Sequence, residues 1–276
     1  MADNITISKT ELLYDPLFDK KPDLKMKGRK NTLFKALFII IISAFVGLSL
    51  FFSFNSISSD KYTYKENDTG YTLYQFVGKE DDIALHIDYV RDEAGTVDIT
   101  KPVTAVREFS MSCNEYVRFI FIGKDVSELQ PHCFYYTKNL MAIIVDPENQ
   151  SYTSVDGVLY SEDMKEIILH PMRNHQYRAA LGAGIAAPSD EKTAEVFLSE
   201  FSKKYGDETT ADAEEYGKQF SNEAFYKIPD SVSKIEDSCF SDCEALTYVD
   251  IPSSVKEIGN LAFFKCKGFE TITIPD

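Results

Sequence analysis

The 276-residue chain lacks the short patterns that mark most hydrolytic and nucleotide-dependent chemistry. No GxSxG, HExxH or P-loop sequence occurs, so the nucleophile elbow, the helical zinc pair and the phosphate-cradling loop are all missing. There is no CxxC pair, and no histidine falls at zinc-ligand spacing. His170 and His175 have Pro171 between them and do not share a helical face. Positive charge is scarce over most of the chain. Residues 55–276 hold 21 Lys and Arg against 39 Asp and Glu, a balance of −18. Such a surface repels phosphate backbones and anionic lipid headgroups, which excludes nucleic acid as a partner. Gly182-x-Gly184-x-x-Ala187 matches a relaxed dinucleotide fingerprint in letters only. That motif needs a strand before it and a helix N-terminus after it, and Asn174 to Leu181 is not a β-run. Glu162 and Asp163, after Ser161, read as a solvated turn rather than an acid–base pair. The sequence therefore offers no catalytic, cofactor-binding or metal residues, and the chain is not read as an enzyme. The dissenting reading places an active site within residues 174–227.

What is present is a repeat. Ile228-Pro229 recurs as Ile251-Pro252 and Ile274-Pro275 at a constant step of 23. Val232, Ile235, Phe240, Cys243, Leu246 and Val249 map by the same step onto Val255, Ile258, Phe263, Cys266, Phe269 and Ile272. A displacement of 106 residues carries Val126, Leu129, Cys133, Phe134, Leu140 and Ile143 into those columns. A further step of 23 adds Ile99, Val103, Val106, Met111, Val117 and Ile120. Complete units are read at 99–121, 122–144, 228–250 and 251–273, with incomplete ones at the gap and the end. A fixed period in the range of roughly 20–29 residues is the mark of a leucine-rich-repeat solenoid. One unit cannot bury its own apolar face and needs a neighbour on each side. Side chains alternating with Val249 and Ile251 should then point away from the core.

The pattern IPxSVxxIxxxxFxxCxxLxxVxIP resembles the BspA-like leucine-rich repeats of cell-surface proteins. Val145 to Tyr160 resembles that family's recurrent hairpin insertion, and Lys101 to Val106 its first-repeat lead-in. The likeness covers residues 62–173 and 226–276. It departs at Cys133 and Cys239, where the family usually has Ala, and at residues 111–114. The resemblance implies attachment to host or matrix proteins without catalysis. The paired columns Cys133/Cys239 and Cys243/Cys266 place small sulfur side chains in the core. Disulfides are the alternative, with Cys239 and Cys243 the pair close enough to check.

The N-terminal part carries a different set of expectations. Residues 1–32 read as a disordered, polar cytoplasmic tail with a cationic cluster at its end, and 33–54 as a transmembrane helix. Residues 36–54 contain no charge, and about 20 helical residues span a bilayer core. A cleaved signal peptide is the competing reading. The basic cluster before this segment predicts a single-pass plasma-membrane protein with a cytoplasmic N-terminus and an extracellular C-terminal domain. Within 55–98, a polar stalk over 55–70 should lead into a strand-rich cap on the first repeat edge. Asn67 and Asn149 head candidate glycosylation sequons.

Residues 99–173 and 228–276 are the two repeat blocks, separated by an insertion at 174–227. Ala194, Phe197, Leu198, Phe201 and Tyr205 recur at helical spacing between an N-cap at Ser189 and a stop at Gly206. A second, weaker helix carries Ala213, Tyr216 and Phe220. The expected fold is thus a β-rich solenoid with an inserted helical hairpin and one N-terminal transmembrane helix. Its outward strand positions are Phe119, Phe121, Ile144, Tyr248, Asp250, Thr271 and Thr273. The first five form the candidate face for a protein or glycan ligand, since exposed apolar patches mark partner surfaces. Either the inserted helices or a partner should cover Phe119, Phe121 and Ile144. Self-association through an uncapped solenoid edge is the alternative function.

Overall fold

The computed structural model describes residues 5–8 and 56–275, apart from residues 93, 112, 207–212 and 270. Strand β1, Ile5–Ser8, lies apart in sequence from the rest. Next come β2 (Ser56–Ser58), β3 (Tyr62–Glu66) and β4 (Tyr71–Phe76), an antiparallel meander. Tyr62, Tyr64, Leu73 and Phe76 of this meander are buried, so residues 56–70 form part of the cap and not a stalk. The alternation of buried and open residues along β3 is what a half-buried strand requires.

The repeats build parallel ladders, four of them among the described residues. The first contains β5 (Ala84–Ile87), β8 (Phe119–Ile122) and β10 (Ala142–Val145), joined in the order β10-β8-β5. Between these in sequence run β6 (Tyr89–Arg91), β7 (Val97–Val106) and β9 (Glu128–Leu129), with β7 parallel to both β4 and β9. A hairpin follows: β11 (Tyr152–Val155) and β12 (Val158–Ser161) are antiparallel, and β13 (Glu166–Leu169) pairs with β12. Its two-residue turn, Asp156 and Gly157, has φ of 49° and 77°. Both values lie in the left-handed region that such tight hairpins demand. A Cβ on Gly157 would also stand 2.6 Å from that of Ala142, so the position is closed to larger residues twice over. This is the hairpin insertion expected from Val145 to Tyr160.

Among the described residues the insertion carries three α-helices, α1 (Asn174–Gly182), α2 (Glu191–Tyr205) and α3 (Ala213–Lys218), and a short 3-10 turn at Ser221–Glu223. The second block then supplies β14 (Phe225–Lys227), β15 (Lys234–Ile235), β16 (Tyr248–Asp250), β17 (Glu257–Ile258) and β18 (Thr271–Ile274). Strand β14 pairs in parallel with β16, while β13, β15 and β17 form one parallel run.

The 23-residue step is visible in the backbone as well as in the core. Left-handed φ values recur at Phe109, His132, Ser238 and Leu261, and again at Cys113, Tyr136, Asp242 and Lys265. Each set occupies one repeat column. Phe134, Phe240 and Phe263 are all buried, and the rings of Phe240 and Phe263 stack at 5.1 Å. Cys133, Cys239, Cys243 and Cys266 are buried free thiols, and Cys113 is exposed. Burial pushes the Cys266 thiol up to about 12 and raises the other buried three.

The expected membrane placement is corrected. Among the described residues no helix is long and apolar enough to cross a membrane. Residues 33–54, on which that expectation rested, lie outside the described residues. Moreover, β1 pairs antiparallel with β18, Ile5 opposite Ile274. That pairing brings the first strand and the last repeat together, whereas a single crossing between them would set them on opposite sides of a bilayer.

Candidate ligand-binding face

The outward face of the first ladder can be compared column by column with that of β14 and β16. Parallel registers align Ala84, Phe119 and Ala142 in one row and His86, Phe121 and Ile144 in the next. In the second block the matching rows are Phe225 and Tyr248, continued by Thr271, and Lys227 and Asp250, continued by Thr273. The inward rows between them are uniformly apolar: Ile120, Ile143, Tyr226, Val249 and Ile272 are all buried.

The first face is covered. Phe119 is 0% and Phe121 8% exposed, packed in one cluster with Tyr177, Ala180, Phe197, Phe201 and Phe220 of the insertion. The Phe119 ring meets Phe197 edge-on at 5.4 Å and Tyr177 at 6.4 Å. Ile144 packs against the same cluster. Phe119 and Phe121 are therefore withdrawn as candidate partner contacts, because side chains of the insertion already pack where a partner would sit, while Ile144 stays half-buried at the edge of that cover. Helix α2 has the bounds the apolar spacing predicts, but its N-cap is Asp190 and not Ser189. The Asp190 carboxylate accepts from the Thr193 amide at 2.8 Å, and the Thr193 hydroxyl accepts from the Asp190 amide at 2.9 Å. These bonds hold the Asp190 carboxyl below its ordinary range. Gly206, at φ 82°, ends the helix.

Helix α1 was not legible as a helix. It lies where Gly, Ala and polar residues read as a linker, and it buries Asn174, His175 and Gln176. The only available signal was Tyr177, Ala180 and Leu181 at helical spacing. Gly182 ends this helix and Gly184 follows it, so the GxGxxA letters run from a helix end into a loop, not from a strand into a helix. The Asn174 amide donates to the Asp156 carbonyl at 2.7 Å, tying α1 to the hairpin turn. Arg178 donates to the Phe225 carbonyl at 3.0 Å and also reaches the Glu223 carbonyl, which ties α1 to β14. His175 meets Phe220 edge-on, and burial takes it down to about 3. His170 sits elsewhere, stacked on Phe240 at 5.1 Å, and burial lowers it well below the ordinary imidazole range. The two histidines are thus core residues of different clusters, and no group of metal-binding side chains occurs among the described residues.

The second face is open. Phe225 and Tyr248 are each 45% exposed, with rings stacked at 5.4 Å and 11° between planes. Lys227 and Thr271 are exposed beside them, and Asp250 and Thr273 half-buried. Of the predicted face, Tyr248 and Asp250 remain accessible. Phe225 and Lys227 were missed, although Phe225 stands one 23-residue step before Tyr248 and could have been read from the repeat.

Neither sequon presents a free amide. Asn149 is 4% exposed, and its Nδ2 donates to the carbonyls of Gly123 and Val126 at 2.8 and 2.9 Å. Asn67 Nδ2 donates to the hydroxyls of Thr72 and Thr104. Both asparagines are structural, so attachment at Asn149 would require the loop to open.

With this geometry in place, the family is decided by a match over residues 92–172 and 216–276, in six copies, to the BspA type leucine rich repeat region. The chain belongs to the BspA-type leucine-rich repeat family. No curated protein matches the chain. Among solved structures it is similar to a leucine-rich repeat protein from Eubacterium ventriosum, at 14% identity and a TM-score of 0.38, over 74% of this chain and 62% of that one. It is similar to the leucine rich repeat protein of T. pallidum at 18% identity and a TM-score of 0.36, over 78% and 69% of the two chains. A leucine rich cell surface protein from Faecalibacterium prausnitzii shares 15% identity at a TM-score of 0.35, over 79% and 54%. The chain spans 62% of the length of the first of these.

Proposed function

We propose that this BspA-type repeat protein is a non-catalytic binding module whose open strand face engages a protein or glycan ligand in adhesion. The observation that carries this reading is the Phe225–Tyr248 stack, exposed on a sheet whose equivalent positions in the first block are sealed by helices. Stacked aromatics on a rigid sheet offer a large contact area at low entropic cost, the property that makes Tyr frequent at recognition surfaces. The excess of carboxylates on the chain favours a neutral or basic partner over an anionic one. The family resemblance points the same way, toward attachment to host or matrix proteins.

The alternative, stacking of copies edge to edge, is disfavoured by the strand pairing of β18 with β1, which occupies the edge such stacking would use. The ligand-binding reading is tested by capture. Full-length protein is applied to arrays of immobilised extracellular-matrix proteins and glycans, alongside Phe225→Ala and Tyr248→Ala. Saturable capture lost at least tenfold in both variants supports the reading. Capture that both variants retain in full overturns it.

A further inference from the structure

The turn side of the solenoid is interrupted once, and the interruption has the form of a peptide site. In the regular stack, the turn of one unit donates its amides to the turn of the next. Met111 donates to the Cys133 carbonyl at 3.2 Å and Cys113 to Tyr135 at 3.0 Å. In the second block Ser238, Phe240 and Asp242 donate to the carbonyls of Asn260, Ala262 and Phe264 at 2.9, 2.7 and 2.8 Å. After Leu169 the chain leaves for α1, so no turn stands between 132–136 and 238–242. The amides of Phe134 and Tyr136, which hold the places of Met111 and Cys113, make no such bond among the described residues. Facing them, the carbonyls of Asp237 and Ser241 hold the places of Asn260 and Phe264 and accept no backbone amide among the described residues.

His170 fills the inner part of the missing turn. Its amide donates to the Cys239 carbonyl at 2.9 Å, and its ring stacks on Phe240 at 5.1 Å, as Phe263 does on the other side. The outer part is a cavity of about 330 Å³, lined by Phe134, Tyr135, His170, Pro171, Ser238 and Ser241 among others. That volume is at the lower end of the roughly 300–1,000 Å³ of ligand pockets. Two buried side-chain atoms of its lining have no hydrogen-bond partner among the described residues: His170 Nε2, in a residue 2% exposed whose Nδ1 faces Cys243 Sγ, and Ser238 Oγ, in one 7% exposed. His132 Nδ1 is a third. Glu166, Glu236 and Asp237 lie at the cavity, and Lys234 pairs with the first two.

The geometry points to a second binding site, distinct from the open strand face, that takes a short neutral or basic peptide as the missing turn. The slot is one repeat step deep, roughly the 4.8 Å between paired strands, which is the thickness of one chain segment. Its walls present amides on one side and carbonyls on the other, the requirement of recognition by added backbone. An apolar side chain of the peptide lies over His170 between the flanking turns.

The test uses the full chain and an acetylated, amidated peptide with the sequence of residues 259–267, carrying Trp at the Phe263 position and Ser at the Cys266 position. The protein contains no Trp, so emission reports the peptide alone. A saturable blue shift is expected, weakened at least tenfold in Ser238→Leu and in His132→Phe. Both replacements fill the slot and suit the backbone, because Leu261 and Phe109 occupy the same column at φ 56° and 55°. Exchange of the Phe134 and Tyr136 amides should slow at saturation, and Phe225→Ala should bind the peptide as wild type does. No saturable shift overturns the proposal, as does unslowed exchange of both amides. Equal competition by tryptophan amide overturns it too, by showing a site for small aromatics. Loss of binding in Phe225→Ala places the peptide on the strand face and is likewise contrary.

Discussion

Phe119 and Phe225 stand at the same position of the same repeat, 106 residues apart, yet one is fully buried and the other 45% exposed. Each strand presents two outward positions, and the residue between them, Ile120 or Tyr226, is buried. The difference comes entirely from what the chain does between the blocks. In the first block, α2 lays Phe197 and Phe201 on the strand face, and α1 adds Tyr177 and Ala180. In the second block nothing among the described residues corresponds to these helices, and the outward rows read Phe, Tyr, Thr and Lys, Asp, Thr. A solenoid unit therefore fixes which side chains leave the core, while insertions decide which of them meet water.

The largest expected effect breaks this pair directly. Phe119→Ala should cost about 3–5 kcal/mol in urea unfolding, the usual range for a large buried aromatic. Phe225→Ala should cost no more than about 1 kcal/mol, as at other exposed sites. Similar losses for both would mean that the two faces are equally packed.

Next in size is the tie between the regions. Arg178→Met leaves the Phe225 and Glu223 carbonyls without their donor and should destabilise by about 1–3 kcal/mol. Its signature is faster amide exchange in both α1 and β14, and exchange unchanged in β14 would show that the tie is idle.

Acid should act on the covered region and the junction, because the open block from 225 onward contains no histidine. His170 and His175 are both depressed by burial in the folded state, the second to about 3. The unfolded chain therefore binds protons below the ordinary value of 6.5 that the folded chain refuses. Stability is full above pH 6.5 and falls as pH drops below it. By pH 5.5 His175 should account for about 1.4 kcal/mol of the loss, and His170 adds to it in the same direction. His170→Phe, which copies Phe263 in the column, and His175→Phe should each flatten the pH profile between 6.5 and 5.5. A profile unchanged in both variants contradicts the assignment. The smallest effect on stability and the largest on binding are expected at Tyr248→Ala, read by ligand capture together with an unchanged melting midpoint.

Much of this was legible because the signal was periodic. Columns containing Phe134, Phe240 and Phe263 fixed the core, and alternation around Val249 fixed which residues point outward. The extent of α2 followed from Phe197 and Phe201 at helical spacing. What periodicity cannot supply is tertiary cover. Exposure of Phe119 depends on helices that no repeat predicts, and α1 hid behind Asn174, His175 and Gln176, polar residues whose burial is paid for by contacts distant in sequence. The Asn149 sequon shows the same limit: three letters match, yet the amide serves two carbonyls of the preceding turn. The cap over 56–70 read as a stalk because Tyr62 and Tyr64 alternate with polar residues over too few positions to stand out.

The central claim, one repeat position with two fates, is tested most directly by hydroxyl-radical footprinting of the folded chain. The account predicts rapid modification of Phe225 and Tyr248 and protection of Phe119 and Phe121 to the level of the core ring Phe240. Modification of Phe119 at the rate of Phe225 would contradict it.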